Sequence, residues 1–119
     1  MSKKFDGTER RKYPRANGRF IVSYRVIPKN SKSDISQTKN LSLGGMLLTT
    51  NCQFPQGTNL ALEIRLPFDP DPIMTIAKVL ESIEITKGMI YDTRLAFLAM
   101  DEKHRKVIGE TVGYYLKKG

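Results

Sequence analysis

The chain has 119 residues, 39% of them hydrophobic and 27% charged, a length that accommodates one hydrophobic core and a balance that excludes wholesale disorder. No apolar run approaches the roughly 20 residues that span a bilayer, and the first residues lack the apolar stretch of a secretory signal. The single Cys52 has no partner for an internal disulfide, so a reducing, cytoplasmic location is expected and Cys52 is read as structural. The formal net charge of +8 is unevenly placed: residues 1 to 32 hold ten Lys or Arg against Asp6 and Glu9, while the remaining residues balance ten basic groups with ten acidic ones. The partner implied is an anion met by that one segment, whether nucleic acid, nucleotide or acidic lipid.

In chain order, residues 1–18 have few apolar groups and end in Tyr13-Pro14-Arg15-Ala16-Asn17-Gly18. They are expected to form an extended or mobile basic arm, followed by one domain over 19–119. From Arg19 the pattern alternates, with Phe20, Val22, Tyr24 and Val26 on one face and Ile21, Ser23 and Arg25 on the other, which predicts a strand. A polar turn at 29–34 leads to a second strand, Ile35 to Leu41, which breaks at Gly44-Gly45. Met46 to Thr50 and Leu60 to Leu66 give two more. The proline-rich stretch 67–72 supports neither helix nor central strand, and Ile73 to Ile85 with Met89 to Met100 reads as a long hairpin turning at Thr86-Lys87-Gly88.

The tail changes period. His104, Val107, Ile108, Thr111, Val112 and Tyr115 share one helical face after a possible cap at Asp101. Gly109 and Gly113 weaken this helix unless they permit a close approach, so docking must supply most of its stability. The expected fold is therefore all-β with a terminal helix: a six-stranded antiparallel β-barrel capped by a C-terminal α-helix.

Two features carry chemistry. In Glu9-Arg10-Arg11-Lys12-Tyr13-Pro14-Arg15, Arg11 and Arg15 stand four residues apart among further cations. Guanidinium groups bond phosphate oxygens bidentately, bond the O6 and N7 edge of guanine in the same fork, and stack on flat bases. Taken alone, the segment reads better as a solvated basic tail. The second feature is Asn40-Leu41-Ser42-Leu43-Gly44-Gly45, where Asn40 and Ser42 share a strand face and the glycines allow unusual backbone angles and close approach of a ligand. Alone, it reads as a polar hairpin turn held by side-chain to backbone hydrogen bonds.

Arg11 to Arg15 followed by Asn40-x-Ser42-x-x-Gly45 resembles the pattern of PilZ domains, in which Arg-x-x-x-Arg precedes Asp or Asn-x-Ser-x-x-Gly. The resemblance covers nearly the whole chain and implies the same six-stranded barrel with a C-terminal helix. It also implies that Arg11 and Arg15 contact the guanines and phosphates of cyclic di-GMP. Asn40, Ser42 and Gly45, with Gly44 beside them, would hold a guanine from the barrel surface. Arg10, just before the motif, corresponds to the residue associated with binding an intercalated pair of ligand molecules, which implies a two-to-one stoichiometry. Some PilZ domains stack an aromatic residue of a later strand on a base. Here no Trp exists, Val79-Leu80-Glu81 occupies the neighbourhood searched, and Tyr13 is a possible substitute.

The expected function is thus a receptor and adaptor whose arm folds over the barrel when cyclic di-GMP arrives and creates a surface for a downstream protein. The alternatives are a small barrel binding single-stranded nucleic acid, which the neutral strands disfavour, and a PilZ-like interaction module without ligand. No nucleophile and base pair, phosphate loop or clustered metal ligands suggest an enzyme. His104 reads as a packing or surface residue, and Asp69 with Asp71 provide too few ligands for calcium. No metal, no cofactor beyond the ligand and no membrane insertion are expected.

Overall fold

The structure is a computed structural model in which residues 16–27, 33–67 and 69–118 are described. It contains β1 (Ala16–Asn17), β2 (Ile21–Ile27), β3 (Asp34–Leu41), β4 (Gly45–Thr50), β5 (Asn59–Arg65), β6 (Ile73–Thr86), β7 (Ile90–Ala99) and α1 (Glu102–Lys118). The antiparallel sheet runs β3-β2-β5-β6-β7-β4 and closes when β4 pairs back onto β3. This is the expected six-stranded barrel with its C-terminal helix, plus one short strand.

Alternation places the core. Val22 and Tyr24 of β2, Leu60, Leu62 and Ile64 of β5, and Ile73, Ala77 and Val79 of β6 all point inward and are buried. Met46 and Leu48 of β4 and Leu95 of β7 complete the interior. Burial on one face of each strand fixes the register, because a one-residue slip would turn every apolar side chain to water. Between β4, β7 and β6 a hydroxyl chain takes the place of apolar packing: Thr93 Oγ1 lies 2.8 Å from both Thr50 Oγ1 and Ser82 Oγ. Near the Asp34 end of the barrel, Tyr24 packs edge-on against Phe54 at 6.1 Å. Burial, with some help from Asp34, pushes the Tyr24 phenol up to about 12 against the opposing effect of a backbone hydrogen bond at Asn51.

The extra strand β1 lies beside β3, with Ala16 opposite Leu41 and Asn17 opposite Asn40. Farther along β3, β2 takes over the pairing, with Ile21 opposite Gln37. At the break between β1 and β2 Thr38 N still donates to the Phe20 carbonyl at 2.9 Å, and the Thr38 side chain supplements the ladder. Its buried hydroxyl accepts from Phe20 N at 3.1 Å and donates to the Gly18 carbonyl at 2.8 Å. Two residues assigned to the arm by sequence, Ala16 and Asn17, are therefore paired with the sheet, and Ala16 is buried.

Helix α1 follows the expected face. Ile108, Thr111 and Val112 are buried, and His104, Val107 and Tyr115 are half-buried. The Asp101 carbonyl accepts from His104 N and Arg105 N, both at 3.0 Å, which starts the helix. Phe20 meets Tyr115 edge to face at 5.2 Å, so the helix rests on the segment joining β1 to β2. The two helical glycines are not close-approach sites: a methyl group at Gly109 would sit 3.7 Å from Leu43 Cδ2, an ordinary contact, and Gly113 faces open space. No described helix is long and apolar enough to cross a membrane.

Strand β6 outruns its neighbour on one side. It pairs with β5 from Ile73 to Lys78 and with β7 as far as Thr86. Among the described residues, the stretch from Leu80 to Thr86 has a strand partner on its β7 side alone. The hairpin turns where Met89 N donates to the Thr86 carbonyl at 2.9 Å and Gly88 takes φ +68°.

Candidate functional site

Arg10, Arg11 and Arg15, the arm half of the expected site, and Tyr13 lie outside the described residues. The other half is described in full. Ala16 and Asn17, which directly follow Arg15, are the residues that pair with Leu41 and Asn40. A sequence separation of more than twenty residues is thereby reduced to one strand spacing, roughly 4.8 Å.

Asn40 is half-buried near the end of β3 and faces Leu47 of β4 on its other side. A bulge between Thr38 and Asn40 shifts the β3 to β4 register there. Bulges re-aim side chains locally, and this one sets Lys39 and Asn40 beside each other, both half-buried. Lys39 Nζ sits 2.8 Å from one oxygen of Asp92 and 3.1 Å from the other, a part-buried ion pair that reaches across β4 to β7.

Ser42 is buried and occupied by the turn itself. Its backbone N donates to the Gly45 carbonyl at 2.9 Å, and its Oγ accepts from Gly44 N at 3.1 Å and Gly45 N at 3.2 Å. The same hydroxyl lies 3.3 Å from the Gly45 carbonyl, to which it donates. Ser42 thus shapes the turn from beneath while the short loop Leu43-Gly44 projects above it. Leu43 packs against the core beside α1, its Cδ2 3.7 Å from where a methyl group at Gly109 would sit.

Gly45 is required for a reason other than backbone angle. Positive φ occurs at Gly57 and Gly88, whereas Gly45 begins a regular strand. A Cβ on Gly45 would lie 1.9 Å from the Leu95 carbonyl oxygen, and Phe97 N donates to the Gly44 carbonyl at 2.9 Å. The glycine, itself buried, allows β4 and β7 to meet closely at the turn.

The wall beyond the turn carries residues that sequence reasoning passed over. Leu47 pairs with Arg94 of β7, and Arg94 pairs with Glu81 of β6, its guanidinium 3.3 Å from the Glu81 carboxylate. Nothing local in the sequence marks them, since they reach Asn40 through barrel register alone. Of the stretch searched for a stacking aromatic, Val79 is buried and Leu80 exposed. Away from this wall, the Cys52 thiol is pushed up by burial and by Asp34, which disfavours the reactive thiolate. Among the described residues, no group of three or more His, Cys, Asp or Glu could hold a metal ion.

Comparison with known proteins agrees with this geometry. The family model for the PilZ domain matches residues 9–113, which includes both motifs. Comparison with curated protein sequences returns no match. Among solved structures, the Bacillus subtilis inhibitor of motility (MotI/DgrA) is similar at 21% identity and TM-score 0.73 over 92% of this chain and 51% of that one. The PilZ domain of YcgR from Escherichia coli, solved with c-di-GMP, is similar at 14% identity and TM-score 0.65 over 92% and 93%. The c-di-GMP-dependent transcription regulatory factor MrkH is similar at 17% identity and TM-score 0.70 over 93% and 53%. The chain spans about half the length of the MotI and MrkH chains, and at these identities the likeness concerns the fold. With the family model covering most of its length and the barrel closed as described, the chain belongs to the PilZ domain family.

Proposed function

We propose that this chain is a cytoplasmic receptor for cyclic di-GMP that passes the signal to a downstream protein. The observation that carries the reading is the pairing of Asn17 with Asn40, which delivers the chain leaving Arg15 to the edge of the Asn40–Gly45 turn. A double motif split across the sequence thereby serves one place on the surface. The solved relatives YcgR and MrkH, each described with c-di-GMP, support the same ligand.

In this reading Arg11 and Arg15 supply forked donors to phosphate and to the guanine Hoogsteen edge, and Asn40 bonds a base edge. Ser42 acts by holding the turn, Gly45 by letting β4 and β7 close beside it, and the half-buried Gly44 offers main chain to the ligand. Arg10 serves a second, intercalated ligand molecule. The downstream effect travels through α1, because Phe20, just after β1, packs on Tyr115 of that helix and Leu43 of the turn lies beside Gly109.

Titration calorimetry with cyclic di-GMP tests the proposal. Micromolar or tighter binding to the wild type is expected, with two ligands per chain, and at least tenfold weaker binding in Arg11→Ala or Arg15→Ala. A wild type that binds no cyclic di-GMP at micromolar concentrations overturns it.

A further inference from the structure

The outer row of side chains that starts at Asn17 and Asn40 does not end at the turn. Register sets Asn17 opposite Asn40, Asn40 opposite Leu47, Leu47 opposite Arg94 and Arg94 opposite Glu81, so one row crosses β1, β3, β4, β7 and β6. Directly opposed residues on antiparallel strands project from the same face. The adjacent row, Leu41, Met46, Leu95 and Val79, is the buried one. The Asn40 row therefore faces outward. Two strand spacings place the Cα atoms of Asn40 and Arg94 about 10 Å apart, with Leu47 midway.

That order of side chains suits a flat, polar-edged ring. Asn40 offers a donor and an acceptor at one side, Leu47 a half-buried apolar floor, and Arg94 a forked donor at the other. Arg94 is also available. Its partner Glu81 is 3.3 Å away, and the two side chains are 53% and 45% exposed, so their attraction is screened by water and readily exchanged. The other ion pair on this wall, Lys39 with Asp92, is shorter at 2.8 Å and more enclosed, and its cation stays engaged.

We infer that Leu47 and Arg94 belong to the ligand site. A guanine lies on Leu47 with its O6 and N7 edge toward Arg94, and Glu81 competes with the ligand for that guanidinium. The inference rests on the proposed function and adds a source of base selectivity. An Arg fork matches the two acceptors of guanine, whereas adenine places an amino donor where O6 would be. The partner surrendered by Arg94 sits on an exposed strand, so the exchange leaves no buried charge behind.

Calorimetric titration of cyclic di-GMP and cyclic di-AMP into wild type, Arg94→Ala, Glu81→Gln and Leu47→Ser tests this, with Arg11→Ala in the same series. Arg94→Ala is expected to weaken cyclic di-GMP roughly tenfold, within the discrimination of one bidentate contact, and to shrink the preference over cyclic di-AMP by a similar factor. Leu47→Ser should weaken both ligands. Glu81→Gln should strengthen cyclic di-GMP binding by about two- to threefold, the size of a surface ion pair released. That gain should vanish when Arg94→Ala is also present. The gain of affinity in Glu81→Gln could not arise from a damaged fold. Unchanged affinity and selectivity in Arg94→Ala, or weaker binding in Glu81→Gln, overturns the inference. If Arg11→Ala abolishes binding in that same series, the receptor reading stands without it. A wild type that binds neither ligand overturns both.

Discussion

The turn at Ser42–Gly45 and the turn at Thr86–Met89 both reverse the chain beside a glycine, yet the two glycines solve different problems. Gly45 sits in an extended strand where the Leu95 carbonyl leaves no volume for a Cβ. Gly88 adopts φ +68° with nothing within 4 Å of the place where a Cβ would be. One glycine answers to a neighbouring strand, the other to its own backbone. The first turn is also tied down by a buried serine, whereas the second is held from outside, by Gly88 N donating to the exposed Glu84 carboxylate at 2.9 Å. A glycine motif in a sequence therefore does not reveal its physical reason, and in this barrel the glycine of the Asn40–Gly45 turn is the one that packs.

The largest expected consequence is at Gly45. Gly45→Ala drives a methyl group into main chain that cannot rotate away, so β4 and β7 must separate at the turn. A loss of about 3 kcal/mol or more is expected in denaturant unfolding, with ligand affinity falling in the same variant. If Gly45→Ala were as stable as the wild type, the close-approach account would fail.

Next comes an alkaline effect that touches neither turn and sets their common baseline. The Tyr24 phenol titrates at about 12 in the folded protein and near 10 when unfolded. Between those values the unfolded chain loses its proton first, so stability is intact below pH 10 and declines as pH rises toward 12. The decline should reach about 2 kcal/mol and disappear in Tyr24→Phe, read from unfolding curves across that range.

Ser42→Ala should cost about 1–2 kcal/mol, because the buried Gly45 amide and the part-buried Gly44 amide lose their acceptor. Gly88→Ala should cost about 1 kcal/mol, with little effect on cyclic di-GMP binding, and Gly88→Asn less, since Asn tolerates the left-handed region. A Gly45→Asn variant should gain nothing from the same tolerance, and an Asn rescue at Gly45 would erase the distinction between the turns.

Much of the fold was legible because it was written in short-range patterns. Val22 with Tyr24 and Leu60 with Leu62 and Ile64 alternate as barrel strands must, and the Ile108, Thr111, Val112 spacing marks the helix. β1 escaped notice because two residues after a proline carry no periodicity. Its existence depends on Thr38, whose hydroxyl bridges the gap to β2 from a distant part of the chain. The segment from Asn40 to Gly45 was likewise readable as a strand end running into a glycine turn, and Ser42 proves to be committed to that turn. The placement of Leu47 and Arg94 beside Asn40 was not readable. Arg94 lies more than fifty residues from Asn40 and comes near it through two consecutive strand pairings, and the register shift between β3 and β4 obscures which outer residues line up.

The overhang of β6 has a consequence for how the protein behaves in concentrated solution. From Leu80 to Thr86 one ribbon edge carries Ile83 and Ile85 outward, about half exposed, with Glu81 and Glu84 interleaved. An apolar strand with open amides is a template for another strand, and interleaved acids are what keep copies of such an edge apart. Gln53 helps by covering the Ser82 carbonyl, its Nε2 at 2.9 Å. Neutralising both Glu81 and Glu84, whether by substitution or by acid, would leave this edge as the place where the barrel joins sheet to sheet and begins to aggregate.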